Sequence, residues 1–260
     1  MPLFAPDMKA GDGSDADYTH GDLDAAEARH FWFRSRRRSV LWALRRYFPA
    51  ARRLIDVGCG TGFMIEALGA ASGSDDLVAT DVFFPFLQYA SRRLRPPAEV
   101  LQADARRLPF RDEFDVAGAF DVIEHVDDDG AVLAEVRRTL KPGGGLIVTV
   151  PQHRWLWSTV DEFSRHRRRY TRSELVARVT EAGFDVLDAT SLFALTLPLL
   201  MLARLRRVPL ERFDPASELK IAALPNAVLD GMLRAEEAAV RMGLRLPAGG
   251  SLLLVARRRG

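Results

Sequence analysis

The chain is 260 residues long, 48% hydrophobic, and carries a formal net charge of +2. That suffices for one large domain with a sizeable core, and the charge is too small to mark a nucleic-acid binder. A single cysteine, Cys59, excludes an intramolecular disulfide and a cysteine-rich metal site, and nothing visible calls for a metal.

Residues 1–17 are polar, with Gly11, Gly13, Ser14 and several aspartates, and read as a disordered leader. No cationic segment followed by an apolar run appears there, so a cytoplasmic location is the expectation. Residues 18–260 form one expected domain. Its first part, 18–48, is a helical lid, with a long helical pattern from Leu23 to Phe48 ended by Pro49. Phe31, Trp32 and Phe33 lie in its middle. Three adjacent aromatics cannot share one helix face, so a break or a two-sided contact is expected there.

Strands are expected at 54–57, 77–80, 99–102, 114–120 and 145–150, with helices at about 62–70, 84–94 and 129–140. The last helix follows Asp127, Asp128 and Asp129 as N-caps and closes at Lys141-Pro142-Gly143-Gly144. Alternating strands and helices imply a mainly parallel sheet covered on both faces. After Pro151 an aromatic, basic loop runs to Tyr170. Thr171-Arg172-Ser173-Glu174 is a capping box, and Gly183 ends its helix. A sixth strand spans 184–190. Residues 191–246 read as a helical insertion, and an apolar strand at 251–256 should return to the sheet.

The stretch Asp56-Val57-Gly58-Cys59-Gly60-Thr61-Gly62 joins the first strand to the first sheet helix. Glycine has no Cβ and accepts positive φ, so such a turn brings backbone close to a ligand. A phosphate loop needs a lysine, and this turn holds no cation. A dinucleotide fingerprint is spaced GxGxxG, and here the third glycine comes one residue early. Asp56 would repel a pyrophosphate and attract a cation. S-adenosylmethionine carries a sulfonium and an ammonium, and no phosphate. Asp81, ending the second strand, suits ribose hydroxyls, and Asp104, ending the third, suits an adenine amine. All three acids lie where open α/β sheets bind ligands.

These segments, with Phe114-Asp115-Val116 through Ile123-Glu124-His125-Val126 and Leu140-Lys141-Pro142-Gly143-Gly144, resemble the ordered motifs of class I S-adenosylmethionine-dependent methyltransferases. The ubiquinone-biosynthesis-like small-molecule branch is most similar. The resemblance covers about residues 50–190, and Ser251–Arg257 is similar to the family's last strand. It implies a Rossmann-like, doubly wound α/β fold: a seven-stranded sheet, mainly parallel with an antiparallel last strand, and helices on both faces. It implies S-adenosylmethionine as cofactor. Gly58, Cys59, Gly60, Thr61 and Gly62 would lie beneath the methionine and ribose part, with Asp56 near the ammonium group. Asp81 would hold the ribose. Asp104 would hold the adenine, with Ala103 or Ala105 beside the ring and Phe83 along it. Phe120 and Asp121 would lie near the methionyl group, and Arg37 or Arg38 would hold the donor carboxylate.

For the acceptor, the sequence offers candidates. His125, His153 and His166 are candidate bases for an oxygen acceptor. Trp32, Trp155, Trp157, Arg167 and Tyr170 are candidate wall residues. The run Arg165–Arg169 suits an anionic acceptor or a solvated loop. The apolar segment Leu192–Ala203, followed by Arg204, Arg206 and Arg207, offers three uses: cover over the acceptor pocket, a dimer contact, or peripheral membrane contact through 192–207 at the inner face. A small or lipid-like acceptor is favoured, glycan-linked ones included, with O-methylation as the expected reaction. The rivals are a nicotinamide dehydrogenase, a donor-binding protein without turnover, and an RNA methyltransferase. The last lacks any RNA module in this sequence.

Overall fold

A computed structural model describes residues 20–204 and 209–260. The 1–17 leader, Arg206 and Arg207 lie outside the described residues. The alternation read from the sequence becomes seven strands: β1 (Leu54–Val57), β2 (Leu77–Asp81), β3 (Glu99–Gln102), β4 (Phe114–Phe120), β5 (Leu140–Pro151), β6 (Phe184–Leu192) and β7 (Ser251–Arg258). They form one sheet in the order β3-β2-β1-β4-β5-β7-β6. The pairings from β3 through β5 are parallel, and β7 runs antiparallel to both β5 and β6. Chain order reverses between β1 and β4, which opens a crevice at the carboxyl ends of those strands.

Strand periodicity sends successive side chains to opposite faces. Ile55 and Val57 enter one core with Phe114, Leu146, Val148 and Phe184. Leu54 enters the other, with Ile147, Leu253 and Val255. The first face is covered by α5 (Asp129–Thr139) and α7 (Arg172–Glu181), through Val132, Val136, Leu175 and Val179. The second is covered by α2 (Phe31–Tyr47), α3 (Phe63–Ser72), α4 (Phe84–Arg93) and α10 (Ala223–Arg241), through Val40, Leu44, Ile65, Leu87 and Leu233. Both faces are covered by helices, so the central strands are apolar almost throughout rather than alternating.

Two strand boundaries differ from the sequence expectation, and the break expected in the N-terminal helical region is present. The N-terminal helical region is two helices, α1 (His20–Glu27) and α2, broken just before the three aromatics. His30 caps α2, with Nδ1 accepting from Trp32 N at 3.3 Å. Asn226 of α10 clamps the break: its Oδ1 accepts from Phe31 N at 2.8 Å, and its amide donates to Arg29 O at 2.9 Å. No local signal could announce a clamp 195 residues away. β5 begins at Leu140, earlier than expected, because Leu140 pairs with Phe114 before a register shift. β6 runs on to Leu192, since its whole edge pairs with β7.

The expected insertion contains α8 (Leu197–Arg204), α9 (Pro215–Leu219) and α10, with the short α6 (Thr159–Phe163) lying earlier, between β5 and α7. α10 is tied to α2 by charge. Arg38 bonds Asp230 at 2.8 Å and Glu237 at 2.7 Å, and Ser35 donates to Glu237 at 2.8 Å. Glu236 of α10 accepts from the backbone N–H groups of Phe193 and Leu195 at 2.6 and 2.8 Å. α2 and α10 therefore brace each other on the second face of the sheet.

Candidate functional site

The glycine turn sits at the crevice. Gly58 N and Cys59 N both donate to Thr80 O at 2.8 Å, which pins the turn to β2. Gly58 has φ +73°, and a Cβ there would meet Val122 Cγ2 at 2.5 Å. Gly62 has φ +81°, and its Cβ would lie 3.0 Å from the Ala90 backbone. Only glycine fits either place. Cys59 is buried, and burial pushes its thiol pKa up, so it fills space rather than reacting.

Asp81 is 6% exposed and accepts from Gly60 N and Phe83 N, each at 2.9 Å. It orders the turn and caps the approach to α4. Phe83 is half-buried at that cap, beside Phe86. Ala103 is buried next to Asp81, with its N–H on Asp81 O at 3.0 Å. Ala105 packs at the core's edge. Asp104 is paired with Arg106, Nη2 to Oδ2 at 2.7 Å, which keeps its pKa low against the opposing effect of burial. Thr61 is fully buried and donates to Glu27 of α1. Burial pushes the Glu27 carboxyl up to about 7, against the pull of Thr61 and Arg93.

The arginine that enters this pocket is Arg36, not Arg37. Arg37 lies over the Phe63 ring at 4.9 Å. Helical rotation of 100° per residue puts the two side chains on different faces. Arg36 pairs with Asp121 and lies 4.5 Å from the centroid of the Trp32 ring, which stacks on Phe193 at 5.7 Å. Burial pushes its guanidinium down to about 10, while Glu27, Asp56 and Glu124 pull it up. Asp121 has φ +55°, as a residue does where β4 is abruptly turned, and Phe120 before it is buried. Asp56 is 1% exposed with Oδ1 unpartnered, and burial raises its pKa well above the usual range. One guanidinium thus faces four acids: Glu27, Asp56, Asp121 and Glu124. Acids thus outnumber the guanidinium among them.

The acceptor-side candidates divide. His166 and His125 meet edge to face, with ring centroids 4.7 Å apart. Their ring nitrogens and the Glu124 carboxyl all lie within 4.8 Å of one another. His166 Nδ1 is 2.8 Å from Asp161, which Arg169 grips at 2.7 and 3.0 Å. His153, with φ +62°, stacks on Trp155, and its Nε2 is buried without a partner. Trp155 and Trp157 are 56% and 38% exposed.

Tyr170 is not on an acceptor wall. It is 3% exposed, packed in the core, and its hydroxyl donates to Asp129 at 2.8 Å. Its position just before α7 turns it inward, and burial together with Asp129 pushes its pKa up. The arginine run is consumed internally as well. Arg169 holds Asp161, Arg168 holds Asp129 at 3.1 Å, and exposed Arg167 pairs with Asp127 at 3.3 Å. Glu27, Arg36 and Glu124 are site residues that the sequence reading did not assign. Glu124 stood in the quoted Ile123-Glu124-His125-Val126 segment, and only its complete burial without a partner marks it out.

Residues 55–148, from β1 into β5, match the methyltransferase domain family. That segment is a methyltransferase domain. The chain is 35% identical over 111 residues to ubiquinone biosynthesis O-methyltransferase of Rhodopseudomonas palustris, covering 40% of this chain and 41% of that protein. Among solved structures it resembles a chain of the Haloferax volcanii complex between a methyltransferase activator and a methyltransferase, with TM-score 0.62 and 21% identity over 95% of this chain and 99% of that one. It resembles the cyclase SpnF equally, with TM-score 0.62 and 20% identity over 95% of each chain. Likeness at these identities shows the fold. The chain spans about half the length of its curated relatives, 46%, 41% and 63% for three of them.

Proposed function

We propose that this chain transfers the methyl group of S-adenosylmethionine to a hydroxyl of a small-molecule, lipid-like or glycan-linked acceptor. The observation that carries the reading is the acid-rich pocket behind the glycine turn. Asp56 is buried and half-unpartnered, and Arg36 is shared among four carboxyl groups. Such a pocket is completed by a cation without phosphate. The donor's sulfonium and ammonium meet that need, and a nicotinamide dinucleotide, with its pyrophosphate, does not.

The sulfonium already supplies the leaving group, so the chain's task is alignment and exclusion of water. In the proposed arrangement Asp81 and the turn amides hold the ribose end. Phe83 and Ala103 flank the adenine, and Asp104 releases Arg106 or shares it. A hydroxyl acceptor also needs a proton acceptor, and Glu124, His125 and His166 stand together beyond the turn. Calorimetric titration with S-adenosylhomocysteine tests the reading, with micromolar binding expected. No binding would sink it. Binding together with transfer of labelled methyl to no extract component would favour a donor-binding protein without turnover.

The exposed face of the insertion supports a peripheral membrane contact. Leu195, Leu199, Met201 and Leu202 are 47%, 52%, 47% and 64% exposed, and α8 buries none of its residues. No helix among the described residues is long and apolar enough to cross a membrane. Anionic vesicles are expected to co-sediment the protein, and a Leu199→Ser/Leu202→Ser variant is expected to stay in the supernatant. Equal recovery of wild type and variant in the supernatant refutes the contact.

A further inference from the structure

One carboxyl in the site has no structural partner. Glu124 is 0% exposed, and neither side-chain oxygen has a hydrogen-bond partner. Its backbone is fixed, in the 3-10 turn Ile123–His125 after β4, with its carbonyl accepting from Arg167 N at 2.7 Å. Leaving a buried polar group unsatisfied costs roughly 1–3 kcal/mol, so an orphan of this kind calls for a ligand or a proton. The charged groups that face it are Arg36 from α2, and Arg169 and Asp161 from the segment between β5 and α7. His125 and His166 complete its surroundings. Arg36 is committed to Asp121, and Arg169 to Asp161. Neither guanidinium hydrogen-bonds Glu124.

We propose that Glu124 takes the acceptor's proton during methyl transfer, and that the positive charge of the incoming donor is what ionises it. The inference rests on the methyl-transfer reading above. A sulfonium placed among Asp56, Asp121 and Glu124 favours the carboxylate. The acceptor oxygen then attacks the methyl carbon. The new O–C bond forms as the S–C bond breaks, and the bonding pair goes to sulfur. The sulfonium becomes a neutral thioether, and the hydroxyl proton passes to the Glu124 carboxylate. Pocket charge is conserved: sulfonium with carboxylate before, thioether with carboxylic acid after. No further reactant is needed.

After product leaves, burial holds the acid neutral, its pKa pushed up to about 8. The next donor expels the proton. His166 and the exposed His125, both within 4.8 Å, offer it a way to solvent.

The test compares donor with product. The whole chain is titrated calorimetrically at pH 7 with S-adenosylmethionine and with S-adenosylhomocysteine, in phosphate and in Tris. These buffers differ in ionisation enthalpy, so the difference in heat counts protons. The ligands share their α-ammonium group, which cancels in the comparison. Release of roughly one proton per donor bound, and almost none per product, is expected. Glu124→Gln should bind both ligands, abolish the difference, weaken donor binding about tenfold while leaving product binding nearly unchanged, and lower kcat. Equal proton counts for the two ligands in the wild type overturn the proposal, whether or not the variant folds. A difference that persists in Glu124→Gln also overturns it. Failure of either ligand to bind overturns the methyl-donor reading instead.

Discussion

Asp81→Ala is expected to weaken S-adenosylhomocysteine binding roughly 100-fold, about 3 kcal/mol, by the loss of charge-assisted hydrogen bonds. Two effects combine. The ribose hydroxyls would lose the carboxylate, and the glycine turn would lose its internal brace, since Gly60 N and Phe83 N both donate to Asp81 at 2.9 Å. Because Asp81 is 6% exposed, water cannot replace it without entering the crevice. Asp81→Asn separates the effects. It keeps one acceptor oxygen for Phe83 N but presents an amide N–H toward Gly60 N, so an intermediate loss is expected. Calorimetric titration of both variants is the measurement. Wild-type affinity in Asp81→Ala would remove Asp81 from the donor site.

Asp161→Ala is expected to destabilise the fold by about 3–5 kcal/mol, the usual cost of removing one member of a buried ion pair. Asp161 is fully buried and serves three segments at once. It receives both sides of the Arg169 guanidinium, it faces His166 Nδ1, and it accepts from Ser158 N at 2.8 Å at the start of α6. At this chain length the loss corresponds to a fall in Tm of roughly 10 °C. The pH dependence has a definite sign. Burial alone would raise the Asp161 pKa, but His166 and Arg169 outweigh it and hold the carboxyl well below the usual range. A depressed folded-state pKa contributes stability above the unfolded value and loses it as pH falls. Wild type should therefore lose stability below about pH 4, the unfolded carboxyl value, and Asp161→Asn should show a shallower acid limb. Denaturant unfolding across that range checks both. A variant within about 0.5 kcal/mol of wild type, the scatter of ordinary surface changes, would show that the pair contributes nothing net.

Most of the sheet is legible before folding because its cause is local. The apolar runs at 54–57, 77–81 and 114–120, bounded by turn residues, are strands in the folded chain. Gly58 and Gly62 announce a turn because no other residue tolerates their φ and their neighbours. Thr171 with Glu174, and Asp128 with Ala131 N, are caps that close within three residues. The placement of Asp56, Asp81 and Ala103 at the crevice follows from strand ends alone, since a parallel sheet puts those ends on one edge.

What failed to show was whatever depends on rotation about a helix or on partners far along the chain. Arg36 and Arg37 are neighbours in sequence, yet one enters the pocket and the other lies over Phe63. Tyr170 sits in an aromatic, basic loop and is a core residue, because Asp129 receives its hydroxyl from 41 positions away. The arginines of 167–169 look free in the sequence, and the folded chain supplies each with an acid. The glycine turn and its acids name the donor from short-range chemistry, because backbone geometry and strand ends are written in adjacent residues. The pocket's excess of acids over Arg36, and the unpartnered carboxyl of Glu124 within it, exist only once β1, β4, α2 and the loop before α7 have met. Burial and electrostatic field belong to that assembly and to none of its segments alone.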